Sequence, residues 1–423
     1  MNAIRPTLLS LAAAALAALA VPAAAQTLRT VALKGQPAPG TSSGVNYITF
    51  DSPRLNAAGQ AAFFGVLTGS GVTSANINGV WSERSGSLAL VARKGDPAPG
   101  TSSGVNFSNL NSPLLDGAGQ TAFSCLLTGS GVTFANDGGI WSEGSGALTL
   151  VAREGNPASG TSSGVNYSEL FTPVLNSGGQ TAFLTTLTGS GVTTANDRGI
   201  WSEGSGSLAL VAREGDPAPG TSSGVNYNVI NAPVLNGAGQ TAFLANLTGS
   251  GVTPANVVGI WSEGSGSLAL VARASDAAPG TPGGVNYSGF FSPVLNGAGQ
   301  TAFVAFLTGS GVTSANNSGI WSEGSGSLTL VARMGDPAPG TPSGVNYSNF
   351  TSPNTPLLNG AGQTAFLADL AGSGVTTTND RGIWSEGSGA LALVAREGAA
   401  APGTPSGVTY SSFFDSLTLN GAG

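Results

Sequence analysis

The sequence predicts an all-β protein, a β-propeller built from four-stranded blades of about 60 residues. Three observations carry that expectation. The phrase Val-Ala-Arg/Leu-x-x-x-x-Ala-x-Gly-Thr starts at Val31, Val91, Val151, Val211, Val271, Val331 and Val394, in five steps of 60 residues and one of 63. Such a fixed period means one supersecondary unit copied along the chain. Inside each unit, short apolar runs alternate with Gly- and Asn-bearing turns too tight for anything but antiparallel neighbours. No run has a helical period. A β-solenoid is the alternative, but its coils are shorter and lack two tight hairpins per repeat. A string of separate domains fits less well, since a 60-residue sheet without metal or disulfide is marginal alone.

Residues 1–25 read as a secretory signal peptide. Arg5 supplies the positive start, Leu8 to Val21 the apolar stretch, and Ala23-Ala24-Ala25 the small-residue cleavage site, so the mature chain is expected from Gln26. Residues 26–423 then form one repeat domain with six complete units and a seventh cut short. The second unit shows the pattern. Ser112 to Leu115 is a short strand, closed by the turn Asp116-Gly117-Ala118-Gly119. Gln120 to Leu127 is a longer one with alternating character. A Gly/Ser/Asn loop leads to Gly139–Glu143, a Gly144-Ser145-Gly146 turn follows, and Ala147–Arg153 closes the unit. Glu154 to about Asn166 reads as a long connection. Leu28–Leu33 matches a fourth strand and Leu417–Asn420 a first strand, so a split seventh blade has its outer members and lacks the two between. Gly423 halts inside a turn, which points to a natural form that continues.

Composition excludes several chemistries. With no His and a single Cys, Cys125, the chain holds no Ser-His-Asp or Cys-His catalytic set, no His-bearing metal site and no internal disulfide. A net charge of −7 argues against nucleic acid. Beyond the signal, no segment is apolar enough to span a bilayer, and a monomer is expected. Cys125 reads as a small buried hydrophobe.

The repeated residues read first as scaffold. Asn-x-x-Gly-x-x-Ala-Phe recurs at Asn56–Phe63, Asn176–Phe183, Asn236–Phe243, Asn296–Phe303 and Asn359–Phe366, with Asp116 leading to Phe123 in the second unit. The Asn or Asp side chain bonds the turn backbone two residues on. Gly59 and its counterparts supply a positive φ, and adjacent Ala and Phe point to opposite faces. Trp81, Trp141, Trp201, Trp261, Trp321 and Trp384 read as inter-blade packing, with stacking on sugars as the alternative. Glu83, Glu143, Glu203, Glu263, Glu323 and Glu386 are expected to pair across strands with Arg93, Arg153, Arg213, Arg273, Arg333 and Arg396.

Together with Gly-Ile/Val-Trp and Val-Ala-Arg-x-Gly-x-x-Ala-Pro-Gly, the Asn-x-x-Gly-x-x-Ala-Phe phrase resembles the bacterial choice-of-anchor proteins with tandem NxxGxxAF repeats. The resemblance covers about residues 28–423. It implies a secreted or surface protein, often carrying a PEP-CTERM sorting segment, and no enzymatic activity. No anchor segment stands in this sequence.

The leading functional expectation is a non-catalytic bacterial surface or extracellular module, binding or structural, with polysaccharide or matrix protein as partner. Two alternatives stay open. One is a secreted propeller enzyme acting on polysaccharide, although most acids recur once per unit and so are scattered instead of paired. The other is a calcium-stabilised adhesive repeat, with Asn136-Asp137, Asn196-Asp197 and Asn379-Asp380 as candidate oxygen donors. No other cofactor is expected. Tyr47, Phe107, Tyr167, Tyr227, Tyr287 and Tyr347 fall in the longest connections and are the candidate ligand-facing aromatics.

Overall fold

The computed structural model describes residues 28–421 apart from 52, 351–354 and 414–416. The signal peptide, the final two residues and most of the insertion before Leu357 therefore lie outside the described residues.

Each unit folds into one sheet. In the first, β1 (Val45–Phe50) and β2 (Arg54–Leu55) both pair with β3 (Ala61–Gly69), which pairs with β4 (Asn78–Ser82) and then β5 (Ala89–Arg93). All pairings are antiparallel. β1 and β2 lie along the same edge of β3, so they are one interrupted first strand and the blade is a four-stranded meander. A bulge between Tyr47 and Thr49 bends that strand. The next unit repeats the order with β6 (Val105–Leu110), β7 (Leu114–Leu115), β8 (Thr121–Gly129), β9 (Gly138–Ser142) and β10 (Thr149–Arg153). Among the described residues six such sheets follow one another with no helix, and the architecture is a β-propeller. The short strands of successive units touch each other at the inner edges of the blades.

Three expectations are corrected. The strand carrying Tyr47 and its counterparts was hidden inside what reads as a loop, because Asn, Ser and Gly interrupt its alternation. Residues 28–33 are not a strand, because no strand among the described residues lies beside them to pair with. Residues 417–420 form no strand either, since no counterpart of β3 stands among the described residues to pair with them.

The core sits between sheets. Val80 and Ala92 of the first sheet, with Phe64, meet Phe107, Leu110, Phe123, Cys125 and Trp141 of the second. The same set recurs at the following interfaces. Phe and Ala divide the two faces as alternation requires, with Phe243 and Ala242 both fully buried. Six indoles, at most 0% exposed, anchor these interfaces. Each donates its N–H to a carbonyl of the preceding turn, for example Trp141 to Pro99 at 3.0 Å and Trp201 to Ser159 at 2.8 Å. That is the packing role, and it leaves no indole face for a sugar.

A ring of amides stitches the inner edge. Asn176 Oδ1 accepts from the Gly178 and Gln180 N–H groups, as the turn chemistry predicts. Its Nδ2 also donates to the Asn236 carbonyl at 2.8 Å, Asn236 to Asn296, and Asn296 to Asn359. Asp116 breaks this ring. Its Oδ1 accepts from Ala118 and Gln120, but Oδ2 is buried without a partner. Burial raises its pKa, against the turn amides that oppose the shift. Asp116→Asn restores the donor, and stability is expected to rise by about 1–2 kcal/mol. A thermal melt reads this, with a larger gain at pH 8 than at lower pH, where the raised carboxyl takes up its own proton more readily. An unchanged melting temperature at pH 8 contradicts the role given to this ring.

Candidate functional site

The aromatic candidates are not ligand-facing. Tyr47, Phe107, Tyr167, Tyr227, Tyr287 and Tyr347 are 1–2% exposed. They lie in strands whose first residues pair with the end of the long strand, as Tyr47 does with Leu67. Each ring meets the unit's Trp edge-on, at 5.0 Å for Tyr47 and Trp81. Burial outweighs their position in the sequence, because a strand with inward-facing aromatics packs an interface.

The expected Glu–Arg pairs do not form either. Arg93 lies opposite Gly79 and Ser82 opposite Ala89, so Glu83, beyond Ser82, sits at the far end of the hairpin from Arg93. The glutamates instead fasten the start of the long strand: Glu203 Oε2 accepts from the Thr181 N–H at 2.9 Å and the Thr181 hydroxyl at 2.6 Å. The arginines clamp the loop ahead of the third strand, with Arg213 Nε donating to the Asn196 carbonyl at 2.8 Å. The loop asparagines are likewise occupied. Asn196 Oδ1 accepts from Thr193 N–H and its Nδ2 donates to the Gly191 carbonyl, a pattern shared by Asn76 and Asn256, which have no acidic neighbour. These asparagines fasten their own loops in every unit, with or without an acidic neighbour.

What remains is one register across each sheet where the units differ. In the first sheet Thr49 lies opposite Val66 and Val66 opposite Asn78, and Lys94 N–H bonds the Asn78 carbonyl. Directly opposed residues share a face. The corresponding rows are Asn109, Leu126, Gly138 and Glu154 in the second sheet, and Glu169, Thr186, Arg198 and Glu214 in the third. The fourth has Val229, Asn246, Val258 and Ala274; the fifth Gly289, Phe306, Ser318 and Met334; the sixth Asn349, Asp369, Arg381 and Glu397. No two rows are alike, whereas the turn glycines, the long-strand Phe and the Trp of each unit are constant.

The rows run from exposed residues on the outer part of each sheet, such as Thr49, Asn109, Leu126, Glu169 and Val229, to residues buried against the next sheet, such as Ala274 and Met334 in the cores there. Between the second and third sheets the groove is a cavity of about 220 Å³, lined by Asn109, Asn111, Ser124, Leu126, Gly138, Glu154 and Leu170 among others. Cys125 lines it too, its thiol pushed by burial up to about 12. Arg381 Nε reaches Asp369 Oδ1 at 2.8 Å in the sixth row, and Phe306 meets Phe291 at 5.2 Å in the fifth. Chemistry thus changes from groove to groove. Sequence reading missed these rows because it weighed what the repeats share; aligning the units and marking where they differ exposes them.

Buried carboxyls mark three of the grooves. Glu154, Glu214 and Glu397 occur in the units that carry Asp137, Asp197 and Asp380, and each Glu is 9% exposed or less. Burial raises all three, with the neighbouring Asp adding to the shift, and Glu214 is lifted to about 7. One backbone amide opposes it in Glu214, that of Ile230. Among the described residues no group of three or more metal-ligating side chains is assembled. A raised carboxyl keeps its proton in the fold while the unfolded chain loses it, so stability falls as pH rises from about 4.5 to 7 and then levels. Glu214→Gln keeps the neutral shape. It is expected to raise the melting temperature by about 2 °C or more at pH 8 and leave it unchanged at pH 4. Equal melting temperatures at pH 8 contradict the buried-acid reading.

No helix among the described residues is long and apolar enough to cross a membrane. No curated protein matches the sequence. Among solved structures, the chain is similar to an oligogalacturonate lyase in complex with manganese, at 10% identity and a TM-score of 0.35, over 84% of this chain and 86% of that one. It is similar to the Pyrococcus horikoshii acylaminoacyl peptidase at 8% identity and 0.35, over 82% and 45%. A Trypanosoma rangeli sialidase in complex with sialic acid follows at 11% identity and 0.27, over 78% and 54%. By sequence, residues 13–325 and 323–423 match a family of unknown function (DUF7453), and the chain belongs to that family.

Proposed function

We propose that the protein is an exported, non-catalytic binding and structural module of the bacterial surface or extracellular space, and that its ligand is an extended polysaccharide or matrix protein. The row of differing residues on each blade supports this reading best. A rigid scaffold of near-identical blades holds different exposed side chains, Thr49, Asn109, Glu169 and Val229 among them, at one height on successive sheets, which suits a polymer contacting several blades at once. The repeated polar and aromatic groups are spent on the scaffold: indoles on turn carbonyls, glutamates on strand starts, arginines on loop carbonyls.

Retention on immobilised acidic and neutral polysaccharides and on extracellular matrix tests it. The double variant Glu169→Ala, Arg198→Ala is expected to weaken binding at least tenfold with no loss of thermal stability. Release of new reducing ends from any retained polysaccharide favours the enzymatic alternative and overturns the non-catalytic reading. A fall in melting temperature on adding a chelator favours a calcium-stabilised adhesin.

A further inference from the structure

At every interface between described sheets but one, a large apolar residue of the preceding long strand closes the core. Phe64, Leu184, Leu244 and Val304 take this place and pack into the cores that follow them. The sixth unit carries Leu367 there, buried as well. In the second unit the position is Ser124, which contributes nothing to the core between the second and third sheets. Further along the same face, Leu126 lies opposite Gly138, where the other units have Asn78, Arg198, Val258, Ser318 and Arg381. Both positions are smaller here than in any other complete unit, and both line the cavity of about 220 Å³ at this interface. Leu170 on its wall is only half-buried, whereas Leu110, Ile230 and Phe350 at the same place in their units are buried.

Polar groups stand at both ends of this cavity. Towards solvent, Asn111 Nδ2 donates to Ser124 Oγ at 2.7 Å, and Asn109 is exposed. Inside, the Glu154 carboxyl is 9% exposed and lies over Gly138, whose N–H it accepts at 2.9 Å. A Cβ on Gly138 would stand in the place of that carboxyl. Leu126 and Leu170 supply apolar surface, and among the described residues no Lys or Arg lines the space. Amides, a hydroxyl and a carboxyl match the hydroxyls of a sugar, while leucines match the C–H face of its ring. The carboxyl disfavours an acidic sugar by like charge. The volume lies below the roughly 300 Å³ at which sites for larger organic ligands begin, so it suits a single ring.

We propose that this cavity is a subsite for one neutral sugar ring, with the sugar hydroxyls on Ser124, Asn111, Asn109 and Glu154 and its C–H face against Leu126 and Leu170. The inference rests on the polysaccharide reading above and narrows it to a neutral polymer held at the second blade.

The probes are cellohexaose, mannohexaose and galactohexaose, with hexagalacturonate as the acidic counterpart, titrated calorimetrically into the full chain. At least one neutral hexasaccharide is expected to bind, one per chain, and hexagalacturonate at least tenfold more weakly. Ser124→Leu installs the residue that the third, fourth and sixth units carry. It is expected to fill the cavity and weaken binding at least tenfold, with a melting temperature equal to the parent's or higher, so that lost folding does not account for lost binding. Binding unweakened by Ser124→Leu overturns the proposal, as does a lower melting temperature of that variant or tighter binding of hexagalacturonate. Retention on matrix protein with no neutral hexasaccharide bound at millimolar concentration overturns the subsite and leaves the binding module standing, whereas retention on nothing overturns both.

Discussion

Trp201→Ala lowers stability by about 3–5 kcal/mol, a large part of what a folded domain has to spare. The indole is fully buried, meets Tyr167 edge-on at 5.3 Å, and donates to the Ser159 carbonyl at 2.8 Å. Truncation opens a cavity and strands that carbonyl together. The neighbouring Gly199 has been shaped to the ring: a Cβ there would stand 2.8 Å from Trp201 Cζ3 and 2.9 Å from the Ala212 carbonyl oxygen. Denaturant melting gives the loss, and amide exchange gives its place. Because each blade contacts mainly its neighbours, lost protection should concentrate in the third sheet and the two beside it. A loss under about 1 kcal/mol means the indole is not the interface anchor.

Gly249→Ala is expected to cost about 3 kcal/mol or more, from backbone strain and collision combined. Gly249 has φ +117°, and a Cβ there would lie 1.9 Å from the Gly224 carbonyl oxygen, an atom of fixed backbone. Two residues on, Gly251 also has a positive φ, +72°, but its Cβ would meet nothing within 4 Å. Gly251→Ala should therefore cost only about 1–2 kcal/mol, the left-handed backbone penalty alone. Urea midpoints of the two variants measured side by side separate collision from strain. Equal costs contradict the close crossing of the long strand over the Gly224 turn.

These two residues show what the sequence makes legible. Trp201 is readable because its unit recurs six times, and a large aromatic at a fixed strand position in each copy has few roles other than packing. The turn role of Asn176 follows from its spacing to Gly179. Its second bond, across to Asn236, does not, because it depends on how close successive blades come at their inner edges. The strand Val165–Leu170 escaped notice for a local reason: Asn166, Ser168 and Glu169 make it look like more loop, and only pairing with the strand from Thr181 to Gly189 makes it a strand. Glu203 and Arg213 were misread as partners because strand adjacency says nothing of register. The bulge between Ile200 and Trp201 and the hairpin geometry place them at opposite ends. The groove rows were legible in principle, as positions such as Glu169, Val229 and Gly289 that differ between otherwise matching units.

The central claim is radial: six sheets packed face to face around an axis, with grooves between them. Small-angle X-ray scattering of the purified chain tests it most directly. A compact propeller of this length has a radius of gyration of about 21 Å. A radius half as large again, with a drawn-out tail of long pair distances, is the mark of units strung end to end and would contradict the propeller and its grooves together.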